Sequence, residues 1–274
     1  MNSSASQGFI QTYLDAPSQP SVSLPSLACD SHVHVFGPVE RFPYGPHHGA
    51  APASAPKEKL FALHRKMGIQ RCVIVQSVTH GYDNRVVEDA IEAGGGNYLG
   101  IARVPLEVPD DELERLAKRG FRGVRFNFMR HLSGGAVVQD VVAMTPRLAA
   151  VGMHLQVHFE SELVHTVGEA LRASQVPVVI DHMGRVDATR GTQHPDFRGH
   201  ALEMPQVFGC CFLSSATGLF SLSSVWPDWG SQGGLDAREG TSVGLLGGSG
   251  ARRTKGAPRG GGVRGDVLKV PNTT

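Results

Sequence analysis

The chain lacks the long apolar runs, the charge imbalance and the paired cysteines that mark several protein classes. No stretch approaches the roughly 20 consecutive apolar residues needed to cross a bilayer. Charge is almost balanced, with 26 Lys and Arg against 25 Asp and Glu, so no field favours nucleic acid or an anionic membrane surface. The four cysteines, Cys29, Cys72, Cys210 and Cys211, form no CxxC pair, and the first two sit in apolar, strand-like runs. That pattern predicts reduced, buried thiols and a cytoplasmic protein. Residues 1–27, rich in Ser, Pro and Gln, have neither the basic start nor the apolar stretch of a signal peptide. They are expected to form a flexible arm.

From residue 28 to 198 the sequence alternates strand-like and helix-like segments. Short runs rich in Val and Ile predict strands over 28–36, 71–76, 98–104, 123–128, 154–159 and 176–181. Helices are expected over 57–67, 84–93, 110–119, 139–151 and 160–173, with Asn84 as an N-cap and Pro146 resetting the fourth of them. Strands separated by helices imply βαβ units and a parallel sheet, hence an α/β fold. With 274 residues, 41% of them hydrophobic, one core can account for the folded part. Beyond residue 198 the composition changes, and nearly half of the 34 glycines fall there. Residues 199–236 are expected to be partly structured, with 210–222 apolar enough for one strand or helix without an evident partner. Residues 237–274 form a Gly/Arg-rich tail expected to be disordered, because such composition cannot offset its ordering entropy. A shifted reading frame would produce the same abrupt change.

The segment Cys29-Asp30-Ser31-His32-Val33-His34-Val35-Phe36-Gly37-Pro38 carries two histidines one residue apart. On a strand both imidazoles share a face, because side chains alternate with a period of two. In isolation such a pair would equally fit ordinary hydrogen-bonded histidines. Other strand ends are polar too: Gln76-Ser77, then Arg125 and Asn127 running on to Arg130, then Gln156 and His158, and finally Asp181-His182. Polar ends on several strands predict one functional face at the C-terminal end of a barrel. His47, His48, His64, His80, His154, His165 and His194 are expected to be structural or surface residues.

These motifs, together with Arg41-Phe42-Pro43-Tyr44, Arg122-Gly123-Val124-Arg125-Phe126-Asn127 and Ile180-Asp181-His182-Met183-Gly184-Arg185, resemble the amidohydrolase superfamily over roughly residues 28–198. The branch most similar is that of the 2-pyrone-4,6-dicarboxylate lactonases. The resemblance implies a (β/α)8 TIM-barrel type of fold, incomplete here at its C-terminal strands. It implies hydrolysis of a lactone in a small polyanionic ring compound from aromatic degradation, with no nucleic acid or membrane as partner. His32, His34 and His182 would be catalytic, polarising the ring carbonyl. Tyr44, Ser77, Arg125, Arg130 and His158 would contact the anionic substrate, Arg being suited to carboxylates through its bidentate fork. No metal cofactor is expected on this resemblance. The alternative is zinc held by His32, His34, His158 and His182 in a hydrolase or decarboxylase on the same barrel. An inactive, frameshifted product is a further alternative. The general base of the resembled branch is an aspartate in a Gly-x-Asp-Trp-Pro-like motif, which is absent. Trp226-Pro227-Asp228 has similar letters in another order, which makes Asp228 a weak substitute.

Overall fold

The computed structural model describes residues 9–45, 51–129 and 136–199, and the backbone of Cys211–Leu213. Seven strands form one parallel sheet in sequence order: β1 Cys29–Val33, β2 Arg71–Val75, β3 Tyr98–Ala102, β4 Phe121–Asn127, β5 His154–His158, β6 Val178–Asp181 and β7 Cys211–Leu213. Between them lie α1 Lys57–Met67, α2 Arg85–Ala93, α3 Asp110–Lys118, α4 Val138–Ala143, α5 Thr145–Ala150 and α6 Val164–Leu171, with a one-turn α7 Pro195–Arg198 before β7. The sheet curls into part of a (β/α)8 barrel. Among the described residues β1 and β7 are its edges.

Alternation along the strands creates two layers. Cys72 and Ile74 of β2, Ala102 of β3, Val124 and Phe126 of β4, Leu155 and Val157 of β5, and Val178 and Ile180 of β6 join one apolar cluster. Leu60, Ile91, Leu113, Leu116, Leu148 and Leu171 enter the same cluster from the helices. Each fully buried Leu or Ile here contributes about 1.5–3 kcal/mol relative to exposure. The intervening residues form the other face. Gly123, Arg125 and Asn127 of β4 lie in register with His154, Gln156 and His158 of β5. Apolar side chains cover one face of the sheet, and polar ones gather on the other toward the strand ends.

The reset expected at Pro146 divides the 139–151 segment into two helices, α4 and α5, meeting at Met144, because Pro146 in the first turn of α5 cannot donate to a continuing ladder. Other local expectations need correction. Asn84 precedes α2 but does not cap it with its side chain. Its amide instead donates to the Arg103 carbonyl and accepts from the Arg103 amide, tying the start of α2 to the end of β3. Five of the six expected strands are shorter than expected, the first ending at Val33 rather than at residue 36, whereas β4 begins two residues earlier, at Phe121. The apolar segment without an evident partner supplies β7, which pairs with β6 through Val179↔Cys211 and Asp181↔Leu213. Residues 9–27, expected as a flexible arm, make defined contacts with α1 and its surroundings. Lys59 pairs with Asp15 at 2.8 Å, Gln19 donates to the Lys66 carbonyl, and Ile10 bridges Pro52. Of the segments expected to be partly structured or disordered, all but Gly199 and Cys211–Leu213 lie outside the described residues.

Close packing between β4 and β5 generates a test. A methyl group added to Gly123 would lie 2.6 Å from the His154 ring, which is itself buried. Gly123→Ala is expected to cost about 1–3 kcal/mol, the usual penalty for overpacking a filled interior. Urea denaturation would measure this, and an unchanged midpoint would show that the ring gives way freely.

Candidate active site

The site is assembled across the curled sheet from β1 on one side and β4 to β6 on the other. His32 and His34 meet edge to face with ring centroids 5.2 Å apart. His182 lies 5.0 Å from His32 and 4.9 Å from His158, so the four imidazoles are contiguous. Asp181, with no exposed side-chain surface, sits beneath them. It accepts from Arg125 Nε at 2.6 Å on one oxygen and from Gln156 Nε2 at 2.6 Å on the other, and His32 Nδ1 stands 3.4 Å away. Burial alone would push the Asp181 carboxyl up. The Arg125 guanidinium and the His32 imidazole more than reverse this and hold it well below the usual carboxylate range.

Hydrogen bonds fix the proton positions on two of the rings. His34 donates from Nδ1 to the Val75 carbonyl at 2.6 Å, which leaves the lone pair on Nε2. Arg125 can only donate, so its NH2, 3.3 Å from His158 Nδ1, makes that nitrogen an acceptor and places the ring proton on Nε2. The Asn127 amide is 3.2 Å from the same nitrogen. Turned by a half-rotation it presents Nδ2, an atom otherwise buried without a partner among the described residues. Burial first, then the Arg125 charge, push His158 down to about 3, and burial with the His32 charge pushes His34 down to about 3. Both are neutral imidazoles at any physiological pH.

His182 owes its position to unusual backbone. His182, Met183, Gly184 and Arg185 all have φ between 53° and 63°, a left-handed turn directly after β6. Three of the four are not glycine, and each pays roughly 1–2 kcal/mol for that conformation. Strain of this kind is tolerated where surrounding contacts over-determine it. Met183 is 50% exposed and lends the turn little packing. Met183→Gly is therefore expected to raise stability by about 1 kcal/mol, read from the urea midpoint.

The other expected residues are placed as follows. The Tyr44 hydroxyl donates to the Pro52 carbonyl at 3.0 Å, and its ring meets His80 edge on. Ser77 caps the one-turn helix Val78–His80, its hydroxyl accepting from the Thr79 amide. Arg130 and Asp228 lie outside the described residues, as do His47 and His48. His64 and His154 are buried in the sheet and helix layers, as structural residues should be. Asp181, Gln156 and Asn127 lie on the expected functional face, but no individual role was expected of them. For Asp181 the available signal was a carboxylate ending an otherwise apolar strand, directly before His182. A cavity of about 800 Å³ is lined by His32, His34 and His182, by Leu60 and Leu63 of α1 and by residues 12–17.

The family follows from comparison with known proteins. The model of the amidohydrolase family matches residues 29–215. The chain belongs to the amidohydrolase family. It is 38% identical over 190 residues to 2-pyrone-4,6-dicarboxylate hydrolase of Comamonas testosteroni, covering 69% of this chain and 62% of that protein. It is 34% identical over 176 residues to 4-sulfomuconolactone hydrolase of Hydrogenophaga intermedia, covering 64% and 58%. The chain thus spans about 60% of the length of these curated relatives. Among solved structures, a probable 2-pyrone-4,6-dicarboxylic acid hydrolase of Acinetobacter baumannii, with citric acid bound, aligns at a TM-score of 0.56 and 25% identity over 64% of this chain and 65% of its own.

The expectation of a site without metal is corrected. An amidohydrolase of Burkholderia multivorans with the same fold carries bound zinc (TM-score 0.52, 18% identity, 68% and 69% coverage). In this chain His32, Asp181 and His182 bring donor atoms within 4.8 Å of one another. His32 Nε2 is buried without a hydrogen-bond partner among the described residues, and Nδ1 has only the 3.4 Å approach of Asp181, so the ring offers a donor atom to an ion. Two imidazoles and a carboxylate held ionised suit zinc. This group differs from the expected zinc set in using Asp181, while the proton on His158 Nε2 makes that nitrogen a donor.

Three neutral histidines, His154 buried and His34 and His158 partly so, carry a consequence for stability. His34, His158 and His154 are held near 3, 3 and 4. The unfolded chain, with histidines near 6.5, takes up these protons first. Stability contributed by the neutral rings is full above about pH 6.5 and is lost progressively as pH falls toward 3. Urea midpoints measured from pH 8 to 4 should fall on the acid side, and a flat profile across pH 7 to 5 would contradict these environments.

Proposed function

We propose that this chain forms the core of a lactone hydrolase acting on a small polyanionic ring, with 2-pyrone-4,6-dicarboxylate as the best-fitting substrate. The supporting observation is the meeting of His32, His158 and His182 above the buried Arg125–Asp181 pair. The names of the two curated relatives agree, since both describe ring esters that carry acidic groups.

Ring opening requires donors where the carbonyl oxygen gains charge, cations for the acidic groups, and a base for water. His158 offers Nε2–H, a buried donor whose proton Arg125 fixes in place. His32, set by Asp181, and His182, set by the left-handed turn, complete the surroundings of the carbonyl oxygen. His34 stands behind them with its orientation locked by Val75. A divalent ion held by His32, Asp181 and His182 would supply Lewis acidity at the same place. Arg125 and Arg185 place positive charge beside His158 and His182, where a ring carboxylate would sit. Ser77 and Tyr44, whose hydroxyls already have partners, and Arg130 enter this reading through the family resemblance alone.

Asp181 is a weak proton acceptor because Arg125 and His32 stabilise its charge. Binding is therefore a cleaner readout than turnover. Calorimetry is expected to show the dicarboxylate binding at least tenfold more tightly than unsubstituted 2-pyrone. Arg125→Lys is expected to abolish most of that preference, because a point charge cannot serve Asp181, His158 and a ligand together. Ring opening, followed by the loss of pyrone absorbance, should fall about a hundredfold in His182→Asn, the scale of removing one oxyanion donor. Equal binding of the neutral ring, or ring opening indifferent to His182, would overturn the proposal.

A further inference from the structure

Asp30 lies two residues before His32 in β1, yet it faces the opposite layer. On a regular strand residues 30, 32 and 34 would share a face. Pairing with β2 shows why they do not: Asp30 aligns with Cys72 and Val33 with Ile74, so β1 advances three residues while β2 advances two. The extra residue is a β-bulge, a device that re-aims the side chains beyond it. Asp30 is thereby turned toward α1 and His32 toward Asp181.

The bulge is held by a chain of hydrogen bonds through three elements. Asp30 Oδ1 accepts from the backbone N–H of His32 at 3.2 Å. Asp30 Oδ2 accepts from His64 Nε2 at 3.3 Å, which leaves His64 Nδ1 to accept from the Tyr98 hydroxyl at 2.9 Å. His64 belongs to α1 and Tyr98 to β3, and both are buried. The far end of the chain is thus anchored in the core, while β1 itself is a sheet edge with pairing on one side among the described residues. Asp30, His64 and Cys72 come close enough to resemble an ion site. Both ring nitrogens of His64 are already hydrogen-bonded, however, so this chain of bonds accounts for the grouping.

The geometry points to Asp30 as a positioning residue for His32, acting through the bulge and anchored by His64 and Tyr98. This inference rests on the proposed role of His32 in the site, and its test separates the two. Histidine side-chain NMR of the full chain reads the His32 ring directly, without ligand or metal. Asp30→Ala is expected to shift the His32 ring signals while leaving those of His158 in place. Asp30→Asn, which keeps an acceptor for the His32 N–H, is expected to restore them. If Asp30→Ala does not fold, Tyr98→Phe loosens the far end of the chain by one oxygen and should move the same signals by less. His32 signals unchanged in whichever of Asp30→Ala and Tyr98→Phe folds would overturn the inference.

A second arm uses zinc affinity, measured by competition with a chelator. Asp30→Ala is expected to weaken zinc binding tenfold or more, the range seen when an outer partner of a ligand is removed. The loss should disappear in a His32→Ala background, since both changes act on one ring. An equal loss in both backgrounds would assign Asp30 a merely structural role and overturn the inference. Absence of zinc binding by the unaltered chain would count against the metal-bearing site, while the NMR arm would still decide Asp30.

Discussion

Enclosing an ionised carboxylate within a curled sheet carries a desolvation cost of several kcal/mol, and Asp181 is fully enclosed. The arrangement at the open end of the strands answers that cost. Arg125 supplies the countercharge from β4 and Gln156 a neutral donor from β5, each at 2.6 Å. His32 approaches from β1. Arg125 then uses its second nitrogen to set the proton on His158. One buried ion pair thus determines the charge of Asp181, the tautomer of His158 and the surroundings of His32. Removing either partner would leave a buried charge without compensation, which is far more damaging than losing a surface pair.

Much of this was legible from residue types and spacing. Short runs rich in Val and Ile located six strands, and the His-x-His pair pointed to the face on which the imidazoles meet. The resemblance to amidohydrolases then brought His182 and His158 to the same place. What spacing could not convey was the departure from regular geometry. A period of two puts Asp30 on the same face as His32, and only the bulge separates them. Similarly, nothing in the string Asp-His-Met-Gly-Arg announces four consecutive left-handed residues.

Polar residues in sequence also do not disclose their partners. Ser77 sits at a strand end, as a ligand contact would, yet its hydroxyl caps the following turn. Asn84 stands where an N-cap belongs, but a bond to Arg103 on the next strand outcompetes the local one. Asp181 stands among the polar strand ends in sequence, yet its part as the buried counterion becomes visible only when Arg125, 56 residues earlier in the chain, is known to meet it. The metal expectation failed for a related reason. It rested on the resembled branch, whereas the grouping of His32, Asp181 and His182 is a property of three-dimensional packing.

The contact of His32 with Asp181 and His182 has a mechanical side. It joins the first strand to the sixth across the hollow of the sheet, like a brace between the ends of a bent board. Any ion or small molecule that grips both ends must favour the curled form over a flatter or unfolded one. Its binding energy is then shared with the curvature of the whole sheet and appears as resistance to heat in proportion to ligand occupancy. An inert analogue that never reacts would consequently announce itself by a raised melting temperature, so this fold can report what fits its hollow without completing a single turnover.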